Sequence, residues 1–176
     1  MIEAPERIDP PKIASERDML EAWLEFHRAT LATKCAGLSD QQMRDRAVPP
    51  SPLSFLGLLR HMTEVERGWF AWTLDGVDVE PIYYSEEQPD LDFDDIDTQD
   101  PAEAFAVWQD QCDVSRRAAA GFESLDDVGK RTRGEDGEPK TVYSLRWIMV
   151  HVIEEYARHN GHADFLRERI DGQTGE

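Results

Sequence analysis

The stretch that most constrains the fold of this chain is residues 144–171, SLRWIMVHVIEEYARHNGHADFLRERID. Its apolar residues recur with helical rather than strand spacing, which predicts one long helix that begins after Ser144. Three histidines and a glutamate, all able to bind a metal, also recur at helical spacing: His151, Glu155, His159 and His162. At about 100° per residue these four fall on one narrow stripe. Because the stripe shares its helix face with the apolar residues Ile148, Val152 and Phe165, it needs hydrogen-bond partners or a metal.

Three further helices are predicted upstream. The periodic segments are residues 15–37, which end at Gly37, residues 54–76, which open on Ser54 as an N-cap, and residues 100–121. Asp100, followed by proline and by glutamate three residues on, predicts a capping box. Four helices of this length predict an all-α four-helix bundle. The whole chain, residues 1–176, is interpreted as a single domain with an irregular N-terminal arm at 1–14.

Two loops separate these helices. Residues 77–100 form a long connection, sufficient to cross the length of a bundle, so that the second and third helices could be parallel. Residues 122–143 form a second polar loop that includes GEDGEP. Within the last helix, Gly161 is interpreted as a close-packing position, because glycine costs about 1 kcal/mol relative to alanine there.

The charge of the chain excludes some partners. The net charge is −18, and residues 78–100 contain ten acidic residues and no lysine or arginine. Such a surface repels phosphate backbones, which argues against nucleic-acid binding, and the acidic run is interpreted as a solvated loop. No apolar run approaches the length of a membrane span and the N-terminus has no apolar signal region, so a cytoplasmic location without membrane association is expected.

The cysteines do not predict chemistry of their own. Cys35 and Cys112 lie within predicted helices, outside any Cys-x-x-Cys pair, and are interpreted as small buried hydrophobic residues. His27 on the first helix is interpreted as a core histidine or a residue that lines a pocket. Trp69 on the second helix is interpreted as a core or rim aromatic residue that could line a substrate pocket.

A metal site is one interpretation of the stripe. Glu155 and His159 are four residues apart and can bind one ion, with a further ligand such as His61 from another helix. Two histidines and a carboxylate leave a coordination position open, as in catalytic zinc and non-haem iron sites. His151 and Glu155 form a second pair of the same spacing, so the spacing alone leaves the ligand set open. The alternative is a set of buried, hydrogen-bonded histidines.

The segments SFLGLLRHMTEVERGWF and SLRWIMVHVIEEYARHNGHADFLRERIDG resemble the DinB-like superfamily, in the branch related to mycothiol-dependent maleylpyruvate isomerases. The resemblance covers about residues 15–172. It implies a four-helix bundle in up-down-down-up order with a long crossover between helices 2 and 3. It also implies a divalent metal, Zn²⁺, Ni²⁺ or Fe²⁺, bound by His61, Glu155 and His159. His162 and His151, with His27 and Trp69, are then expected around the metal or in the pocket.

The resemblance further implies a metal-dependent enzyme that acts on a small-molecule substrate with a low-molecular-weight thiol such as mycothiol, as an S-transferase or isomerase. The alternative is a non-catalytic bundle that binds a metal or a small ligand. Homodimerisation is common in bundles of this kind. For an anionic cosubstrate the candidate cations are Arg60, Arg158 and Arg167, although each is interpreted as a solvated charge on a helix face.

Overall fold

The computed structural model describes residues 2–134 and 140–175, and the described residues are helical with two isolated β-bridges. Residues 135–139 of the predicted polar loop 122–143 lie outside the described residues. In chain order the helices are α1 (Glu16–Cys35), α2 (Asp40–Arg44), α3 (Phe55–Glu66), α4 (Leu91–Asp94), α5 (Pro101–Ala120) and α6 (Leu145–Ile170). Four of them are long and confirm the all-α prediction. No helix in the described ranges is sufficiently long and apolar to cross a membrane.

Short polar side chains begin the long helices. The hydroxyl of Ser54 accepts a hydrogen bond from the Gly57 backbone N–H, and Ser144 does the same for Trp147. Asp100 accepts from the N–H groups of two following residues, without the reciprocal contact of a capping box. A complete capping box occurs instead at Ser39, which opens α2.

The second long helix changes its winding beyond α3. Residues Arg67–Leu74 continue it as a π-helix, whereas the sequence predicted an α-helix throughout. The Thr73 hydroxyl donates to the carbonyl of Gly68, five residues earlier. The carbonyls of Thr73 and Leu74 accept hydrogen bonds from Arg131 and Lys130 of the loop that precedes α6. Backbone pairing with that distant loop therefore accompanies the wider turn, which local sequence does not reveal.

Helices α1 and α6 run in the same direction. Near their N-terminal ends Arg146 donates to the carboxylate of Glu16, and near their C-terminal ends Arg167 donates to the Lys34 carbonyl. The pairing buries Leu31 and Leu166 between the helices in the main core.

Helix α3 runs opposite to α6 and in the same direction as α5. His61 meets His159 at one end, and Trp69, in the π-helical continuation, meets Trp147 near the start of α6. The N-terminal ends of α3 and α5 meet in a small buried cluster of Leu56, Ala104 and Ile96. Two helices that are consecutive in the bundle and parallel need a long connection, which residues 77–100 provide.

The acidic connection is only partly the solvated loop that was predicted. Asp92 of α4 is 4% exposed, and Ile96 is fully buried. Phe93 packs into a recess at Gly57, where a Cβ atom would lie 3.0 Å from the phenyl ring. The apolar side chains within the acidic run hold it against α3, so this segment forms part of the interior.

Two of the arginines interpreted as solvated charges are buried. Arg60 is 3% exposed and donates to the Asp95 carbonyl, while Arg167 is 4% exposed and donates to carbonyls at the end of α1. Arg158 remains exposed and pairs with Glu154. Buried guanidinium groups satisfy backbone carbonyls that helix ends and loops leave unpaired.

Two expectations about apolar contacts were wrong. Phe165 is 63% exposed and does not belong to the buried face of α6. Gly161 is not a close-packing position, because a Cβ atom placed there meets nothing within 4 Å. Both residues lie on parts of α6 that the neighbouring helices leave uncovered.

Candidate metal site

Three side chains from two antiparallel helices converge at one point of the bundle. One ligand-type atom from each of His61, Glu155 and His159 lies within 4.8 Å of the others. His61 comes from α3, and the other two come from consecutive turns of α6. The imidazole rings of His61 and His159 have centroids 4.7 Å apart. The helix pairing described above thus brings a sequence-distant histidine to the i, i+4 pair.

The His61 ring is oriented by α4. Its Nδ1 lies 2.9 Å from Oδ2 of Asp92, and its face packs against Phe93 with centroids 5.0 Å apart. A carboxylate accepts the Nδ1 proton, so the neutral imidazole has Nε2 free to coordinate. About a quarter of the His61 side chain remains exposed.

Glu155 lies between two histidines of its own helix. Its Oε2 is 3.6 Å from Nε2 of His159, and its Oε1 is 3.6 Å from Nε2 of His151. Both separations exceed a hydrogen bond. The carboxylate is 15% exposed, and its nearest cationic partner is the exposed Arg158, whose Nη1 lies 3.6 Å from Oε2.

His159 is the most buried member of the cluster. Burial lowers its pKa to about 3, with further contributions from the neighbouring His61, His162 and Arg158. The imidazole is therefore neutral at physiological pH, and its lone pair is free of a competing proton. Its Nδ1 lies 3.4 Å from Nδ1 of His162, which places His162 behind His159.

These residues fit a divalent metal. Ligand atoms about 2.0–2.1 Å from a tetrahedral zinc are roughly 3.4 Å from one another, close to the 3.6 Å between His159 and Glu155. The Nδ1 atom of each histidine faces a polar group, Asp92 for His61 and His162 for His159. Neutral imidazoles and a carboxylate are donors for Zn²⁺, Ni²⁺ or Fe²⁺.

An aromatic cluster adjoins the three residues. His151 stacks on Trp147 with centroids 4.9 Å apart and meets the edge of Trp69 at 4.6 Å, and Tyr143 packs against both tryptophans. The guanidinium of Arg133 lies 3.9 Å from the Trp69 ring centroid. His151 thus lies one turn from Glu155 on α6, and Trp69 is placed against His151 from the facing helix.

His27 is placed elsewhere. It lines a cavity of about 460 Å³ on another face of α6, with Asn160 and Gly161. The Asn160 amide donates to the His27 carbonyl and lies 3.4 Å from its ring Nδ1. Of the five histidines, four lie around Glu155 and His27 does not.

A second cavity of about 510 Å³ lies along α3 and its π-helical continuation. Its lining includes Glu64, Trp72, Tyr84 and Arg133. Burial is the main cause of the raised pKa of Glu64, and the Asp92 carboxylate raises it further, so this wall of the cavity is close to the His61 partner. Glu64 follows His61 by three residues on α3, but none of His61, Glu155 and His159 lines this cavity.

Sequence reasoning missed Asp92. It is one of ten acidic residues in the run 78–100, and nothing in its own identity separates it from the others. The available signal was the apolar residue on either side, Leu91 and Phe93, which is unusual for a solvated acidic loop and indicates a docked turn.

The fold and the cluster define a DinB-like helical protein with a candidate metal centre of two histidines and a glutamate. The family model described as Mycothiol-S-transferase matches residues 19–172, and the chain belongs to that family. The match covers the four long helices and the crossover, and it confirms the relation to mycothiol enzymes. No curated protein and no solved structure gave a significant match to the chain. Membership supports a thiol-dependent function of the transferase type.

Proposed function

We propose that this protein is a divalent-metal-dependent enzyme that joins a low-molecular-weight thiol, of which mycothiol is the first candidate, to a small electrophilic substrate. The observation that carries the proposal is the convergence of His61, Glu155 and His159 within 4.8 Å, on a chain of the mycothiol-S-transferase family. The partial exposure of His61 leaves an approach to the cluster from solvent.

The ligand set His61, Glu155 and His159 is favoured over the other arrangement of the same stripe. His151, Glu154 and Glu155 also lie within 4.8 Å of one another. Glu154, however, is exposed and forms a close ion pair with Arg158 that would have to break, whereas the Arg158 guanidinium is 3.6 Å from Glu155. The favoured set draws on two helices, whereas the alternative set comes from a single helix.

In the proposed reaction, the thiol loses its proton to solvent and its sulfur forms a bond to an electrophilic carbon. The bond from that carbon to the leaving group breaks, and the leaving group departs with the electron pair. A divalent cation at the site would supply the positive charge that lowers the pKa of a thiol beside it. His61 and His159 provide neutral donors, and the Glu155 carboxylate offsets part of the cation charge. An isomerase would use the same sulfur–carbon bond transiently.

We infer that the cavity along α3 takes the substrates. Trp72 and Tyr84 offer apolar faces, and Arg133 and Lys140 offer positive charge along the same lining. A cavity of about 510 Å³ lies within the range of small-molecule sites. Because Glu64, Asp78 and Glu80 line the same cavity, the lining favours a small substrate with an apolar part and sets no sign for its charge.

Elemental analysis of protein purified without chelator tests the metal assignment. We expect close to one divalent metal per chain in the wild type and loss of that metal in His61→Ala and in His159→Ala. His27→Ala is the matched control, since its histidine is half-buried on another face, and it should retain the metal. Retention of metal in either ligand variant would overturn the assignment and direct attention to His151.

Substitution of Co²⁺ for the native metal separates an enzyme from a non-catalytic binding protein. Mycothiol should change the visible spectrum of the Co²⁺ protein, because sulfur near the ion alters its absorption. With an electrophilic aryl halide present, free thiol should then disappear at a rate that requires His159. A stoichiometric metal with no response to thiols would support the non-catalytic alternative.

The proposal includes a homodimer. Its support is the group of exposed apolar side chains on α6, which are Trp147, Val150 and Phe165. Light scattering would give a mass of twice 20.2 kDa for the dimer and 20.2 kDa for a monomer.

A further inference from the structure

We propose that Asp92 positions His61 for metal binding, and that the crossover helix α4 therefore forms part of the metal centre. The inference rests on the proposed function, because it concerns the same metal. It assigns a role to a residue of the acidic run that is not itself a proposed ligand and acts through its hydrogen bond to His61.

The contact has the geometry of a specific hydrogen bond. Oδ2 of Asp92 lies 2.9 Å from Nδ1 of His61, and its Oδ1 accepts from the Phe93 backbone N–H at 3.0 Å. Both carboxylate oxygens are thus engaged, and the Asp92 side chain is only 6% exposed. An aspartate fixed in this way accepts the Nδ1 proton and presents the opposite nitrogen, Nε2, to the cluster.

The carboxylate is held independently of the metal ligands. Phe93 sits against Gly57 of α3, and Ile96 is buried with Leu56 and Ala104. The carbonyl of Asp95 accepts a hydrogen bond from Arg60. Because apolar packing and backbone contacts fix α4, Asp92 is already in place before a metal binds, and the His61 ring is oriented in advance.

The position of Asp92 distinguishes it from the other carboxylates in the same turn. Asp90 and Asp94 flank it by two residues and are exposed, whereas Asp92 is buried. Asp94→Asn is therefore a matched control: it removes one negative charge from the same four-residue helix, close to the site, without removing a contact to His61.

The test compares metal affinity in the full-length protein, by competition for Zn²⁺ with a chromophoric chelator, for the wild type, Asp92→Asn, Asp92→Ala and Asp94→Asn. We expect affinity about 10–100-fold weaker in Asp92→Asn and at least as weak in Asp92→Ala, with the Asp94→Asn value within about twofold of wild type. The asparagine keeps the size of the side chain, so it remains informative if the alanine variant fails to fold.

Two further readings separate positioning from a structural role. The Co²⁺ spectrum of Asp92→Asn should shift, because the His61 ring loses its fixed orientation, while thermal unfolding of the metal-free protein reports any loss of fold stability. Wild-type affinity and an unchanged spectrum in both Asp92 variants, with binding abolished in His61→Ala, would overturn the positioning role alone. Absence of Zn²⁺ binding in the wild type would overturn the proposed function together with this inference.

Discussion

At the scale of single residues, the interior of the bundle is organised around one buried carboxylate. Glu66 is fully buried and accepts two hydrogen bonds from the guanidinium of Arg28, at 2.8 and 2.7 Å. The Tyr156 hydroxyl donates to the same carboxylate at 2.8 Å and accepts from the Trp108 indole. Since Tyr156 directly follows Glu155, this network holds the ligand-bearing turn of α6 in register with α3.

Removal of the Tyr156 hydroxyl tests how much that network contributes to the free energy of unfolding. Tyr156→Phe leaves the Trp108 N–H without its acceptor and Glu66 with one donor fewer. We expect the free energy of unfolding in urea to fall by about 1–3 kcal/mol. Tyr143→Phe is the control, because its hydroxyl makes no hydrogen bond to another described residue, and it should change stability by less than about 0.5 kcal/mol. Equal losses in the two variants would contradict the assigned role of the network.

The two cysteines are expected to be inert in the folded protein. Cys35 and Cys112 are 0% and 2% exposed, and burial raises the pKa of each thiol. Because the thiolate is the reactive form, a disulfide reagent should label neither cysteine at pH 8 until denaturant is added. Titration of free thiols with and without urea measures this. Rapid labelling of the native chain would contradict the burial of the cysteines. It would mean that a cysteine of the protein could take part in the thiol reaction.

At the scale of secondary-structure elements, two glycines within helices have opposite surroundings. Gly161 in α6 has open space where a Cβ atom would be, whereas a Cβ atom at Gly57 in α3 would press on Phe93 at 3.0 Å. The first glycine therefore lowers the stability of its helix without a packing benefit. The second admits the crossover helix α4 against α3.

Alanine at these two positions should act in opposite directions. Gly161→Ala should raise the free energy of unfolding by about 0.5–1 kcal/mol, through helix propensity and a less disordered unfolded chain. Gly57→Ala gains the same propensity but displaces Phe93, so we expect no gain or a loss, together with weaker metal binding through Asp92. Paired urea unfolding curves measure both. Stabilisation by both variants would show that Phe93 does not need the recess.

At the scale of the whole molecule, metal binding and folding should be coupled. The proposed ligands come from α3 and α6, which approach each other only in the folded bundle, so the metal binds the native state preferentially. Free metal at 100 times Kd should stabilise the protein by about 2.7 kcal/mol, which for a chain of this size raises Tm by roughly 5–11 °C.

Calorimetry with added Zn²⁺ and with chelator measures that shift. The His159→Ala variant should show little response to either addition, because it lacks one of three ligands. A shift of the same size in wild type and variant would indicate adventitious binding at the acidic surface, which a net charge of −18 makes available.

Much of the architecture follows from local sequence. Helical periodicity, together with Ser54, Asp100 and Ser144 as N-caps, predicted the long helices to within a residue or two at most ends. These signals are local because capping and amphipathic spacing involve residues within one turn of each other. The stripe on α6 was visible for the same reason, and the DinB-like resemblance selected His61 as its partner.

The tertiary structure decided what local sequence leaves open. Whether Asp92 is solvated or bonded to His61, whether Arg60 is exposed or buried, and where the helix at Arg67 widens into a π-helix all depend on contacts between segments far apart in the chain. Helical spacing placed three histidines on α6 with Glu155, but only the pairing of α3 against α6 brought His61 to them, and His27 of α1 lies on another face. The spacing of residues along one helix follows from backbone geometry, whereas contacts between side chains of different helices depend on how the helices pack.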